Sequence, residues 1–361
     1  MRPIRTAIDH APVTQPAERP LLSVRDLRVS FALDDGVVRA VDGAGFDVMP
    51  GQILGIVGES GCGKSVTMKA ILQLIERPGR IAAGEILFRR RAPGPDGDGD
   101  LVDLARLAPR GRVMRDIRGG EIALIPQEPM AAFSPVHSVG DQIIEAIMLH
   151  RDRTRAVTRA AARDIAIGLF RDVGIAMPEQ RLGAYSWQLS GGQRQRAMIA
   201  MALSCRPRLL IADEPTTAID VTTQAQVLAL LRELQRKYNT AIIFITHDLG
   251  VIAQMASSVV VMYLGRVVEQ GPVDAIFHAP AHPYTRALLR SIPGLSGQTR
   301  TALPVITGTL PHPFNRPAGC PFHPRCADVM TKCATSVPRL QLVAGEQAAS
   351  CFLLHDSAEA A

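Results

Sequence analysis

The sequence predicts an α/β fold with a mostly parallel sheet at its centre. Short apolar runs at 54–57, 209–212 and 241–245 have the length and composition of buried strands. Stretches of helical composition, such as 65–75 and 153–182, lie between them. Parallel strands need a long crossover connection, usually a helix, so this alternation predicts parallel pairing. The 361 residues, 47% of them hydrophobic, suffice for one large domain and an appendage.

Three parts are predicted along the chain. Residues 1–20 contain no continuous apolar stretch, which predicts a flexible tail and not a secretory signal. Residues 21–290 form the main domain, whose β-rich runs at 21–29 and 45–49 are interpreted as antiparallel strands on the edge of a larger sheet. Farther on the composition shifts to Pro, Gly and Cys, so residues 291–361 are predicted to form a second, smaller unit.

Charge, hydropathy and cysteine placement limit the classes of function. The net charge is +6, but Lys and Arg are spread along the chain, so no nucleic-acid partner is expected. No apolar stretch reaches the roughly 20 residues of a membrane-spanning helix, and the best candidate, 241–264, is interrupted by His247 and Asp248. Four of the six cysteines lie from Cys320 onward, which argues against a disulfide framework and favours a reducing, cytoplasmic setting.

The most specific motif is GESGCGKS at 58–65, which fits G-x-x-x-x-G-K-[ST] between a predicted strand and a predicted helix. Glycines let successive backbone N–H groups face phosphate oxygens, and the helix N-terminus adds a positive dipole. Lys64 is suited to reach the β and γ phosphates, and Ser65 to offer its hydroxyl to Mg²⁺. A glycine turn arising by chance is the alternative. The predicted ATP-binding residues of the loop are Gly58, Glu59, Ser60, Gly61, Cys62, Gly63, Lys64 and Ser65.

Two downstream patterns suit the use of a nucleotide. The predicted strand at 209–212 ends in Asp213 and Glu214, of which the first can hold Mg²⁺ and the second can orient or deprotonate an attacking water. The sequence LSGGQ at 189–193 precedes a helix-like stretch and would present N–H groups at its start. Taken singly, the first pattern is often a solvated loop and the second a simple helix cap.

In order and spacing, these motifs resemble those of the ATP-binding cassette (ABC) ATPases over about residues 21–290. GESGCGKS resembles the Walker A motif, LSGGQ the signature motif, and LLIADE at 209–214 the Walker B motif. Gln127 in IPQEP resembles the Q-loop glutamine, and His247 in ITHDL resembles the switch histidine.

Two further positions match the family pattern less closely. Residues 218–220 resemble the D-loop, ending in Asp220, with Ile219 where Leu is commoner. Phe31 matches the position at which the family stacks an aromatic ring on adenine, although an aromatic residue in an edge strand more often serves packing.

The resemblance implies a P-loop NTPase fold of the ABC type. Its parts are a mostly parallel sheet core, an antiparallel β-subdomain, a helical subdomain at about residues 135–205 and a small Cys-rich C-terminal extension. It also implies that two such domains meet head to tail, so that one ATP contacts both. The signature residues acting in trans would be Ser190, Gly191, Gly192 and Gln193.

The same resemblance implies roles at the nucleotide. Ser65, Gln127 and Asp213 would surround Mg²⁺, and Glu214 would be the general base, supported by His247. The catalytic residues implied are thus Glu214, His247 and Gln127, with ATP and Mg²⁺ as the ligands.

Four cysteines near the C-terminus have the spacing C-x5-C-x6-C-x17-C. Thiolates at such density in a reducing compartment usually share a metal, either tetrahedral Zn²⁺ or an iron–sulfur cluster. Free buried cysteines acting as small apolar residues are the alternative. The residues concerned are Cys320, Cys326, Cys333 and Cys351.

The sequence GCPFHPRC around these cysteines, preceded by TGTLPHPFNRP, resembles the C-terminal extension of oligopeptide and dipeptide importer ATPases, a subfamily that includes nickel importers. The resemblance implies a [4Fe–4S] cluster held by the four cysteines, and zinc stays chemically open. It also indicates an AHPYT string at 281–285, interpreted as structural.

The function implied is ATP hydrolysis coupled to uptake of di- or oligopeptides or related small solutes. The expected partners are a second ABC ATPase in a heterodimer, two membrane-spanning permease subunits and an extracytoplasmic solute-binding protein, with this chain on the cytoplasmic face of the inner membrane.

Two other functions compete with transport. A soluble ABC-type ATPase acting on nucleic acid or ribosomes is disfavoured because the chain has one cassette and no sustained heptads. A nucleotide-binding regulator without turnover is disfavoured by the presence of Glu214 and His247.

Overall fold

The computed structural model describes residues 19–91, 100–128, 132–150, 157–216, 220–291, 306–312 and 314–355. The strands are β1 (Leu22–Leu33), β2 (Gly36–Val48), β3 (Ile53–Val57), β4 (Gly79–Arg89), β5 (Leu101–Asp103), β6 (Ile122–Ile125), β7 (Leu209–Asp213), β8 (Ala241–Ile245), β9 (Ser258–Tyr263), β10 (Arg266–Pro272), β11 (Gln341–Ala344) and β12 (Gln347–Ala349).

The helices are α1 (Lys64–Ile71), α2 (Arg112–Ile117), α3 (Val139–His150), α4 (Arg159–Asp172), α5 (Pro178–Arg181), α6 (Gly191–Leu203), α7 (Val221–Tyr238), α8 (Leu249–Met255), α9 (Val273–His278), α10 (Pro283–Arg290), α11 (Thr331–Thr335) and α12 (Phe352–His355). Short 3-10 helices occupy Leu104–Arg106, Ser186–Gln188 and His323–Arg325. None of these helices combines the length and the apolar character that crossing a bilayer requires.

The larger sheet has eight strands in the order β11-β12-β10-β9-β3-β8-β7-β6. Its centre is parallel: β3 pairs with β8 and β9, and β7 pairs with β6 and β8. The predicted α/β fold with a parallel core is therefore confirmed. The carboxyl ends of these parallel strands meet at one edge, where the nucleotide motifs begin.

Alternating residues of the central strands face two separate apolar cores. Leu54 and Ile56 of β3 pack with α1 and the antiparallel sheet, whereas Ile53 and Val57 pack into the core formed with helices α3, α4, α6, α7 and α8. All five residues of β3 are buried, which explains why the strand reads as a continuous apolar run.

The first two strands belong to a second, four-stranded sheet, which corrects the prediction that they lie on the edge of the larger sheet. The order is β2-β1-β4-β5, and every pair in it is antiparallel. Because β1 pairs with β2 on one side and with β4 on the other, it offers no free edge to the parallel sheet. Both strands also extend well beyond the predicted β-rich runs.

The helical stretch predicted at 153–182 contains α4, which begins after Thr158 and ends before Gly174. The Thr158 hydroxyl accepts a hydrogen bond from the Ala161 N–H, and Gly174 adopts a φ of 71° after the last turn. The buried face of α4 includes Ala162, Ala166 and Phe170. Residues 151–156 of the predicted stretch lie outside the described residues.

The C-terminal extension continues the larger sheet instead of forming a separate layer. β12 pairs with β10, and β11 forms the outermost strand. Gln347 donates a 2.7 Å hydrogen bond to the fully buried carboxylate of Glu269, which fixes the two strands side by side. The extension therefore shares a core and a sheet with the main domain, and the predicted boundary at residue 291 stays a prediction.

Candidate functional site

The phosphate loop connects β3 to α1 and has little room for side chains at two glycines. Gly58 has a φ of 149°, and a Cβ there would be 2.2 Å from the carbonyl oxygen of Met262. Gly63 has a φ of 101°, and its Cβ would be 2.6 Å from the carbonyl oxygen of Ala40. Both the backbone conformation and the close packing therefore require glycine, as the motif predicts.

The Lys64 side chain folds back over the loop. Its Nζ donates hydrogen bonds to the carbonyl oxygens of Gly58 at 2.7 Å and Glu59 at 3.1 Å, and the residue is only 6% exposed. Cys62 is buried beneath it, and burial raises the pKa of the thiol, so this cysteine is neutral. The ammonium group is thus held at the centre of the loop, where it faces any bound phosphate.

One cavity of about 360 Å³ brings together the motifs that the sequence separates. Gln127 follows β6, Glu214 follows β7 and His247 follows β8, so the ends of neighbouring parallel strands supply all three. The residues lining the cavity are Ala40, Ser60, Gly61, Gly63, Lys64, Ser65, Val66, Gln127, Glu214 and His247.

Asp213 and Ser65 form the oxygen-rich corner of this site. A hydrogen bond from the Ser65 side chain reaches the Asp213 carboxylate, yet burial outweighs it and raises the pKa of Asp213. Oδ1 of Asp213 is buried without a hydrogen-bond partner within the described structure. A hard cation suits such an unsatisfied carboxylate oxygen beside a hydroxyl, so these residues fit Mg²⁺.

Glu214 lies between two other polar residues of the cavity. Its Oε2 accepts a 3.2 Å hydrogen bond from Nε2 of Gln127, and its Oε1 is 3.4 Å from Nδ1 of His247. The backbone N–H donates to the Ile245 carbonyl at 2.9 Å, and the residue has a φ of 49°. This left-handed conformation directs the carboxylate into the cavity, where it can accept a proton from water.

The signature segment begins α6 and lies outside this cavity. Ser190 caps the helix: its hydroxyl accepts from the Gln193 N–H at 3.3 Å, and Oε1 of Gln193 accepts from the Ser190 N–H at 3.1 Å. Gly191 is exposed at the first turn. The segment therefore makes a helix cap within its own chain and leaves its outer face open.

Two other predicted residues have local structural roles. Asp220 caps α7, because its carboxylate accepts from the N–H and the hydroxyl of Thr223. Residues 217–219, which include most of the predicted D-loop, lie outside the described residues. The Phe31 ring packs against Gly79 and is absent from the cavity lining in the described part of the chain, so its contact with adenine stays a prediction.

The four C-terminal cysteines are free thiols around one small cavity. Cys320, Cys333 and Cys351 are buried and Cys326 is half-buried, and all four line a cavity of about 10 Å³. Such a volume holds about one water molecule. Across the described residues, no group of three or more metal-ligating side chains is placed to hold a metal ion. The four thiols thus share one cavity without forming a metal site in the described structure, and the predicted ligand set stays a prediction.

Two residues that the motifs do not predict hold the phosphate loop from outside it. The Tyr284 hydroxyl accepts a 2.9 Å hydrogen bond from the Glu59 N–H, and Arg325 pairs with the Glu59 carboxylate. Tyr284 belongs to the AHPYT string, which was interpreted only as structural. The only sequence signal for Arg325 is its positive charge within GCPFHPRC, which could pair with a carboxylate such as that of Glu59.

Two family profiles match the chain. The profile described as "ABC transporter" matches residues 41–217, and the one described as "Oligopeptide/dipeptide transporter, C-terminal region" matches residues 268–333. The chain belongs to the ATP-binding cassette transporter family and is an ATP hydrolase of that family.

Particular relatives span almost the whole chain. The probable peptide ABC transporter ATP-binding protein y4tR of Sinorhizobium fredii is 46% identical over 92% of this chain and 94% of its own length. The dipeptide transport ATP-binding protein DppD of Escherichia coli is 45% identical over 94% and 98%, and that of Bacillus subtilis 44% identical over 94% and 96%.

Solved structures agree on the fold. The ATP-binding cassette MJ0796, in a dimeric post-hydrolysis state bound to ADP and Pi, aligns with a TM-score of 0.59 at 21% identity, covering 70% of this chain and 98% of that one. The cbiO1 protein of Clostridium perfringens aligns with a TM-score of 0.56 at 25% identity, covering 72% and 91%.

Proposed function

We propose that this chain is the ATP-hydrolysing subunit of an importer of dipeptides, oligopeptides or related small solutes. The observation that carries the proposal is the near-complete alignment with peptide and dipeptide transport ATP-binding proteins at 43–46% identity. The match of residues 268–333 to the oligopeptide/dipeptide transporter C-terminal profile supports the same cargo class. The division into a tail (1–20), a cassette (21–290) and an extension (291–361) is part of this proposal.

In the proposed reaction, the chain's own residues bind the nucleotide and activate water. Lys64 and the loop N–H groups neutralise charge on the phosphates. Glu214 accepts the proton of the attacking water, and His247 beside it orients the γ-phosphate. Mg²⁺, when bound with ATP, would neutralise charge on the phosphate oxygens, and Ser65, Asp213 and Gln127 would hold it.

A second ATPase completes each site in the proposed assembly. The segment Ser190–Gln193 lies outside the cavity of its own chain and presents an open helix start, as a contribution to a partner's nucleotide requires. Two permease subunits and an extracytoplasmic solute-binding protein would complete the transporter, with this chain on the cytoplasmic face of the inner membrane. The ATPase pairing proposed is a heterodimer.

Purification and uptake assays test this function together. The tagged chain is purified from gently solubilised native membranes, and uptake of a labelled dipeptide is measured in cells whose own copy carries Glu214→Gln. Co-purifying permeases and lost dipeptide uptake are expected. Co-purifying ribosomes would favour the nucleic-acid alternative, to which the relatives give no support. Loss of nickel uptake with normal peptide uptake would show that the transported solute is nickel and not a peptide.

We further propose that the four cysteines share a metal, as a [4Fe–4S] cluster or zinc. Their convergence on one cavity supports the proposal. Anaerobic purification followed by iron, sulfide and zinc analysis tests it, with Cys205→Ser as the matched control. Metal that is absent from the wild type, or unchanged in Cys320→Ser and Cys333→Ser, would contradict it.

A further inference from the structure

A largely buried ion pair joins the C-terminal extension to the phosphate loop. Arg325 donates to both carboxylate oxygens of Glu59, with Nη1 2.6 Å from Oε2 and Nη2 3.0 Å from Oε1. The Arg325 side chain is 4% exposed and that of Glu59 27%. A bidentate pair of this kind fixes the relative orientation of its partners, which are 266 residues apart in sequence.

Other contacts hold Arg325 in place. Its Nε donates to the Thr307 carbonyl at 3.1 Å, and Nη1 lies 3.3 Å from the Tyr263 hydroxyl. The guanidinium carbon is 5.9 Å from the centre of the Tyr263 ring, within the range of a cation–π interaction. Tyr263 in turn packs edge-on against Phe322 of the extension. These contacts fix the position of the guanidinium group.

Glu59 is held at every polar group it carries. Its side chain pairs with Arg325, its N–H donates to the Tyr284 hydroxyl at 2.9 Å, and its carbonyl accepts from Nζ of Lys64 at 3.1 Å. The loop binds phosphates through backbone N–H groups, whose directions must be set in advance for tight binding. A displacement of Glu59 would therefore change both these directions and the position of Lys64.

We propose that Arg325 is a positioning residue for the phosphate loop, through which the C-terminal extension sets the affinity for ATP. The proposal rests on the phosphate loop being the nucleotide site, as given under the proposed function. A second contact agrees with it: a Cβ on Gly61 would lie 4.0 Å from Leu310, so the extension also passes over the loop next to the cavity.

The turn that carries Arg325 also carries the cysteines. The Arg325 N–H donates to the Phe322 carbonyl at 3.0 Å, and the Cys320 N–H donates to the Cys333 carbonyl at 2.8 Å. Arg325 directly precedes Cys326. Whatever fixes the shape of this turn therefore fixes the guanidinium that holds Glu59.

A double-mutant cycle tests the positioning role. Binding of a ribose-labelled fluorescent ATP is measured with the full-length chain, and ATPase kinetics with the assembled transporter, for Arg325→Ala, Glu59→Gln and the double variant. We expect each single change to weaken binding and raise KM by about 5- to 20-fold, with kcat changed less than about two-fold. Because both changes break one interaction, the double variant should be no weaker than the single variants.

Arg316→Ala is the matched control. Arg316 also anchors the extension, through an ion pair of 3.3 Å with Asp42 and a hydrogen bond to the Leu264 carbonyl, but it does not contact Glu59. It should leave the affinity for ATP within about two-fold of wild type. Arg325→Lys keeps the charge without the bidentate geometry and should recover part of the affinity.

Several outcomes would overturn the proposal: wild-type affinity in Arg325→Ala, effects that add in the double variant, or an equal loss in Arg316→Ala. If Arg325→Ala does not fold, the milder Glu59→Gln and Arg325→Lys decide by the same criteria. The variant Lys64→Ala distinguishes a failure of this proposal from a failure of the proposed function. Unchanged ATP binding in Lys64→Ala would refute the assignment of the nucleotide site. If Lys64→Ala loses ATP binding and Arg325→Ala binds ATP normally, only the positioning role is refuted.

Discussion

The nucleotide site is built on the ends of parallel strands, whereas the cysteines of the C-terminal extension lie mainly on loops and short turns. Gln127, Glu214 and His247 meet at one cavity because each follows a parallel strand, and neighbouring strands end together. The four cysteines lie on loops, short helices and turns around a cavity of about 10 Å³. Parallel strands thus fix the positions of the nucleotide-site residues, whereas the position of each cysteine depends on the path of loops and short turns.

The largest expected effect is on ATP hydrolysis at the nucleotide site. Glu214→Gln keeps the size of the side chain and its capacity for hydrogen bonds to Gln127 and His247, but it removes the base. We expect kcat of the assembled transporter to fall about 10²- to 10⁴-fold, with ATP binding close to normal. Phosphate release at saturating ATP measures the loss. Glu233→Gln, an exposed change on α7, is the control, and a Glu214→Gln variant with wild-type kcat would contradict the assignment.

The next effect concerns the extension and separates stability from catalysis. Gln347 donates to the buried Glu269 carboxylate and to the Ala279 carbonyl at 3.0 Å. Gln347→Ala removes both hydrogen bonds and leaves the carboxylate with only the backbone N–H groups of Ala281 and His282. We expect a loss of about 1–3 kcal/mol in the free energy of unfolding, measured by urea denaturation. Gln341→Ala on the exposed strand β11 should stay within about 0.5 kcal/mol.

Catalysis distinguishes the two regions in the same experiment. Gln347 lies outside the nucleotide cavity, so kcat per folded molecule should be unchanged in Gln347→Ala. A fall in kcat larger than about two-fold would show that the extension acts on the site through the sheet as well as through Arg325.

Much of the nucleotide site could be predicted because its parts are local in sequence. Gly58 and Gly63 need conformations and space that only glycine tolerates, and the buried strand before them has a clear apolar signal. Asp213 and Glu214 follow another such strand. Their common edge then results from parallel pairing, which the alternation of helices and strands predicts.

The other features of the fold depend on pairing between segments that are distant in sequence, and such pairing leaves no periodic signal. Nothing local in β1 indicates that β4 will occupy its second edge. The pairing of Gln347 with Glu269 spans 78 residues, and that of Arg325 with Glu59 spans 266. The contact of Phe31 with Gly79 likewise results from the pairing of β1 with β4, which the identity of the aromatic residue does not predict.

The smallest expected effect concerns Asp213 in the nucleotide site, where the carboxylate that suits Mg²⁺ lowers the stability of the fold. Burial raises the pKa of Asp213, so the folded chain favours the protonated carboxyl, and the stability that this group contributes is lost as the pH rises through the raised pKa. At neutral pH, without nucleotide, Asp213→Asn should therefore raise Tm by about 1–2 °C. The same change removes a carboxylate that suits Mg²⁺, so added Mg-ATP should no longer raise Tm as it does for the wild type. Thermal unfolding with and without Mg-ATP measures both effects, and a lower Tm without nucleotide would mean that Asp213 stabilises the fold instead of straining it.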